Sequence, residues 1–123
     1  MPASHAAADL KVRPLSRMMK ALGDETRLRI VALISHGELC VCHVEGALGL
    51  TQPTASRHLS VLRAAGVVDH RRKGTWVHYQ LAEQLDPDCR KVLRALVGSF
   101  AKHDLLRRDV ERLLKTRGPG ACR

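Results

Sequence analysis

Gly49-Leu50-Thr51-Gln52-Pro53-Thr54-Ala55-Ser56-Arg57-His58-Leu59-Ser60-Val61-Leu62 is the stretch whose reading decides the fold. Upstream of it, Val41, Val44 and Leu48 recur at helical spacing, and Gly49 closes that short helix. Thr51 is a good N-cap for the next helix, and Pro53 is tolerated in a first turn whose N–H groups lack intrahelical partners. Ala55, Leu59 and Leu62 then form a core-facing stripe that Gly66 stops. Two short helices joined by Gly49-Leu50-Thr51 make a helix-turn-helix. The side of the second helix away from its apolar stripe carries Gln52, Thr54, Ser56, Arg57 and Ser60. Glutamine can pair with adenine, arginine with guanine, and serine or threonine with either base or phosphate. His58 is placed with them as a DNA-side residue.

Downstream, the period changes. Val67-Val68 and Val77, Tyr79, Leu81 read as two strands joined by the basic tip Arg71-Arg72-Lys73-Gly74-Thr75. Arg71, Arg72 and Lys73 are expected to lie along phosphates or in a minor groove, supplying affinity and salt dependence rather than sequence choice. From Thr51 to Leu81 five cations face Asp69 alone, so the formal charge of +9 is concentrated where the motif needs it. A polyanion, double-stranded DNA, is the partner that this distribution implies.

The flanks read as helices. Leu15, Met18, Met19 and Leu22 mark a first helix over about 14–22, and Asp24 caps a second that Gly37 ends. A long last helix is expected from about Asp88 to Lys115, with Val92, Leu93, Leu96, Val97, Phe100, Leu106, Val110 and Leu114 as its stripe. That stripe exceeds what a small domain can cover, so a homodimer through the first and last helices is expected. The fold class is mainly α with a small β-hairpin wing. Residues 1–13 are read as a flexible N-terminal arm, 14–116 as the winged-helix DNA-binding and dimerisation domain, and 117–123 as a flexible tail. No apolar run is long enough to span a bilayer, and Met1–Asp9 lacks a signal-type apolar region, so a cytoplasmic protein with no membrane partner is expected.

The four cysteines are Cys40, Cys42, Cys89 and Cys122. In a reducing compartment, closely spaced thiols point to metal binding or redox chemistry rather than structural disulfides. Cys40 and Cys42 are read at the start of the third helix, whose N-terminus favours the thiolate that ligates. Helical neighbours two apart point to opposite sides. Gripping one ion is therefore expected to distort the third helix, which supports the recognition helix.

Glu38-Leu39-Cys40-Val41-Cys42-His43-Val44, with Thr51–Leu59, Leu22–Leu28 and the Gly74–Tyr79 wing, resembles the ArsR/SmtB family of dimeric winged-helix repressors that sense metals or metalloids. The Cys-Val-Cys element is similar to that of the arsenic- and cadmium/lead-responsive branches. The resemblance implies trivalent arsenic or antimony as inducer, no permanent cofactor, and release from operator DNA when Cys40 and Cys42 are coordinated. Glu45 stands where arsenic sensors of this pattern often have a third cysteine, so Cys89, Cys122, an external thiol or a two-thiol site are the ways to complete it. The N-terminal segment offers only His5 where cadmium-type relatives add cysteines. Asp86, Asp88 and His103 do not reproduce the last-helix spacing of zinc-type relatives. His43 beside the thiols could help a borderline metal, with an exposed helical histidine as the plainer reading. A thiol-redox trigger, or a cadmium, lead or zinc trigger, on the same fold is the alternative function. A thiol–disulfide enzyme is disfavoured because the chain lacks alternating strands and helices.

Overall fold

The computed structural model describes residues 2–116, with side chains from Val12 onward. The elements are α1 (Pro2–Leu22), α2 (Glu25–Ile34), β1 (Leu39–Cys40), α3 (Val41–Leu48), α4 (Gln52–Ala64), β2 (Val68–Lys73), β3 (Trp76–Leu81), α5 (Pro87–Ser99), a 3-10 turn (Phe100–Lys102) and α6 (Asp104–Thr116). The predicted caps form. Asp24 accepts the Arg27 N–H at 3.0 Å, and Thr51 accepts that of Thr54 at 3.4 Å. Gly49 takes a left-handed conformation, φ 65°, which lets the chain turn from α3 into α4 without a Cβ penalty. Met18, Ile30, Leu33, Val44, Leu59 and Leu62 are fully or almost fully buried in one core between α1, α2, α3 and α4.

Three features depart from the sequence expectations. The segment read as an arm over residues 1–13 is helical from Pro2, with Pro14 inside α1. Ala3, Ala6, Ala7, Ala8, Leu10 and Lys11 are strong helix formers and carry the helix through the proline that was expected to start it. The wing has a third strand: β1 pairs antiparallel with β3, giving the order β1-β3-β2.

The last helix is two helices. A straight helix over 88–115 would extend about 40 Å, too far for both halves to reach the core. The chain breaks instead at Phe100–Lys102, with His103 extended at φ −106° and ψ 118°. α6 then folds against α2 and α3. The break resets the stripe, so Leu113 is fully buried while Leu114, assigned inward by the unbroken period, is 63% exposed. α5 lies beside α1 and keeps Val92, Leu96 and Val97 half-buried. The predicted tail, with Cys122, lies outside the described residues.

Among the described residues, no helix is long and apolar enough to cross a membrane.

Candidate thiol centre and nucleic-acid interface

Cys40 occupies a junction. It is the last residue of β1 and the N-cap of α3, with extended backbone angles of φ −94° and ψ 168°. This corrects the placement of both cysteines within one helix. An extended residue before the first turn does not follow the 100° helical rotation, so its side chain can meet that of Cys42. The two Sγ atoms lie 2.9 Å apart. The thiols therefore converge without any unwinding of α3, and the expected helix distortion loses its premise.

His43 belongs to the same cluster. Its Nδ1 accepts the backbone N–H of Cys40 at 3.2 Å and lies 3.4 Å from Cys40 Sγ. The donor atoms of Cys40, Cys42 and His43 all lie within 4.8 Å of one another. Cys40 is 3% exposed and the other two are half-buried. The signal for His43 was present in the sequence. It stands three residues after an N-cap, the position from which a side chain reaches back to the cap N–H. Cys89 is not a member of this cluster. It is buried in α5, where burial and then Asp86 and Asp88 push its thiol pKa up. Glu45, on α3, is half-buried.

The ladder joins this centre to the wing. Cys40 pairs with His78 of β3, and His78 pairs with Arg71 of β2, so the three lie abreast across the sheet. Glu38, two residues before Cys40 and just ahead of β1, reaches across to the wing. Its Oε1 accepts from Arg71 Nε at 2.7 Å and its Oε2 from Lys73 Nζ at 2.9 Å. These hydrogen bonds, Arg71 first and Lys73 second, lower the Glu38 pKa to about 2. Glu38 escaped sequence reasoning because its partners are more than thirty residues away. Arg72 alternates to the other face and is exposed.

On α4, Gln52 and Arg57 are exposed, and Thr54 and Ser56 half-exposed, along the outer side of the helix. Gln52 Nε2 donates to Ser56 Oγ at 2.9 Å, and Thr51 Oγ1 to Thr54 Oγ1 at 2.9 Å. His58 differs from its neighbours. Arg27 Nη1 donates to its Nδ1 at 3.3 Å, while Arg27 Nε donates to the Ala21 carbonyl at 2.5 Å. His58 thus ties α4 to α2 and the end of α1. The arrangement is a recognition helix with exposed hydrogen-bonding groups, followed by a basic hairpin. A winged helix-turn-helix of this kind defines a DNA-binding transcriptional regulator and not an enzyme.

Comparison with known proteins places it further. Residues 24–70 match the family described as "Bacterial regulatory protein, arsR family". The chain is 41% identical over 110 residues to the arsenic resistance transcriptional regulator ArsR1 of Pseudomonas putida, covering 85% of this chain and 84% of that one. Its fold is similar to that of the transcriptional repressor BigR from Xylella fastidiosa, with TM-score 0.66 and 28% identity over 81% of this chain and 96% of that one. It is also similar to a homodimeric winged helix-turn-helix DNA-binding domain from Mycobacterium bovis, with TM-score 0.62 and 35% identity over 80% and 86% of the two chains. The chain belongs to the ArsR family.

Proposed function

We propose that this protein is a metalloid-responsive transcriptional repressor. It binds operator DNA as a homodimer and leaves when Cys40 and Cys42 coordinate trivalent arsenic or antimony. The observation that carries this reading is the convergence of the two sulfurs at 2.9 Å on the junction between β1 and α3. The names of the arsenic-resistance relative and of the homodimeric neighbour support it.

The chemistry needs only two thiols. Each displaces one hydroxide of arsenous acid, the thiol proton leaving with it as water. The arsenic then holds two As–S bonds and one remaining hydroxide, open to an external thiol. A singly methylated arsenical, with two exchangeable positions, is matched without a third ligand. Both DNA-contacting elements are attached to the centre. α3 leads through Gly49 to α4, and β1 is hydrogen-bonded to the wing strand β3. Seating an ion between Cys40 and Cys42 shifts that common root, and the two ligands oppose each other through reciprocal linkage.

Electrophoretic mobility shift on operator DNA, reduced and with saturating arsenite, tests the proposal. Arsenite is expected to weaken binding by about 10- to 100-fold, and unchanged binding sinks it. The close approach of the sulfurs favours oxidation as the second reading, which release by peroxide but not by arsenite would select.

The DNA surface gives two further predictions. Arg57→Ala is expected to lower operator affinity by about 10- to 100-fold, the range for one bidentate base contact, measured by fluorescence anisotropy against a mismatched operator. An equal loss on both DNAs would show a phosphate contact instead. Glu38→Gln releases Arg71 and Lys73 from a competing carboxylate. Tighter DNA binding is expected, by several-fold, with a salt slope steeper by about 1 to 2. The pH dependence follows from the depressed Glu38 pKa. The folded value of about 2 lies below the ordinary 4.5, so the clamp is complete above about pH 5 and is lost as pH falls towards 2. The affinity gap between variant and wild type is therefore constant from pH 6 to 8; a gap that varies across this range refutes the clamp.

A further inference from the structure

We infer that Trp76, at the tip of the wing, places its indole in the DNA minor groove beside each half-site and makes the protein select A·T pairs there. The inference rests on the operator binding proposed above and is independent of the inducer.

The chain has one tryptophan, one tyrosine and one phenylalanine. Phe100 is buried and Tyr79 packs against the core, whereas Trp76 stands outside the core and is 41% exposed. A lone exposed aliphatic side chain needs no explanation. An indole is large, carries a polar N–H at one edge, and is a favoured anchor at interfaces. Its place in the fold narrows the choice of partner. Gly74, at φ 64°, and Thr75 are the whole connection between β2 and β3, so the Lys73–Trp76 pair closes the hairpin. A two-residue loop is tight and holds that pair at its end. Residues directly opposite on paired strands share a face, so the ring stands beside Lys73. With Arg71 and Arg72 also on β2, the partner that meets this tip is a polyanion.

The cations of this tip supply no sequence choice, because contacts to phosphate carry no sequence information. Two of them, Arg71 and Lys73, already donate to Glu38. The indole is different. The minor groove, about 6 Å wide, is too narrow for a two-stranded ribbon and admits a flat ring at the tip of one. On its floor A·T pairs present acceptors alone, whereas G·C pairs add the 2-amino donor of guanine. The indole N–H is a donor only. It meets an acceptor at A·T. At G·C it meets a second donor, and the amino group holds the ring away from the sugar walls.

The lone tryptophan makes the test direct. The reduced full chain, free of arsenite, is titrated with an operator duplex that the chain itself has selected from a random pool. Indole emission is expected to change on binding, with loss of acrylamide quenching. Replacing the A·T pairs that flank each half-site by G·C is expected to lower affinity about 10-fold, and replacing them by inosine·C, which lacks the amino group, to leave it unchanged. These readouts need no variant. Trp76→Ala is expected to bind about 10-fold more weakly and to lose the preference for A·T over G·C. Its salt slope stays at the wild-type value, because no phosphate contact is removed. Trp76→Phe, which keeps a flat ring, retains most of the affinity. Unchanged emission and quenching on a bound duplex, a preference for A·T that survives in Trp76→Ala, or a shallower salt slope in that variant overturns the assignment. A wild type that enriches no duplex refutes the operator reading and this inference with it.

Discussion

Cys40→Ser and Cys42→Ser will each hold operator DNA in the presence of arsenite at the affinity shown in its absence. The expected release of about 10- to 100-fold in the wild type falls to none. Each variant leaves a single thiol, and one As–S bond cannot bridge β1 to α3. Serine is a suitable replacement because it is expected to keep the fold. Position 40 is an N-cap, where a serine hydroxyl is among the preferred acceptors for first-turn N–H groups. Position 42 is half-buried, and its sulfur meets that of Cys40. Fluorescence anisotropy with labelled operator, titrated with arsenite under a phosphine reductant, gives the answer. Serine variants that still release DNA would move the sensor elsewhere. The matching Cys89→Ser variant is expected to respond as wild type, because that thiol is buried in α5 outside the cluster.

The second large effect concerns stability. Asp109→Ala is expected to lower the melting temperature by about 10 °C, from a loss of about 2 to 3 kcal/mol. Asp109 is fully buried on α6. Its carboxylate accepts from Arg29 Nε at 2.8 Å and Arg29 Nη2 at 2.9 Å, and also from Arg112. Arg112 in turn donates through Nε to the Ala47 carbonyl of α3 at 2.8 Å. One carboxylate therefore binds α6 to α2 and, through Arg112, to α3. Breaking a buried pair costs about 3 to 5 kcal/mol. The lower figure applies here because the Arg29 and Arg112 side chains are 26% and 47% exposed and regain some water. Calorimetry of Asp109→Ala beside Arg29→Ala measures it. A melting temperature within 2 °C of wild type, about half a kcal/mol or less, would mean that the network holds geometry without adding stability.

Local signals in the chain carried most of the fold. The caps Asp24 and Thr51, the glycine stops and the 3.6-residue stripes depend on near neighbours, so the helix-turn-helix and the hairpin were readable from residues alone. Contacts made far along the chain were not. β1 is two residues long and exists only because Tyr79 and His78 pair with it. The break at Phe100–Lys102 arises because both halves of an apolar stripe compete for one core, which no local residue announces. In the site, the cysteine pair was legible from its spacing. Its geometry was not, because a helical projection does not hold for Cys40, whose backbone belongs to a strand. His43 sits at a position from which a side chain reaches back to a cap N–H, but that cap is Cys40 only because the strand ends there. Glu38 looked like one carboxylate in a basic chain until the sheet brought Arg71 and Lys73 to it.

The junction at Cys40 bears on how such a regulator diverges. The proposed ligands Cys40 and Cys42 lie where a strand ends and a helix begins, and neither belongs to α4. Substitution beside them on α3 leaves the exposed Gln52 and Arg57 of α4 untouched. On the proposed function, the stimulus can therefore change while the DNA-facing side chains keep the address.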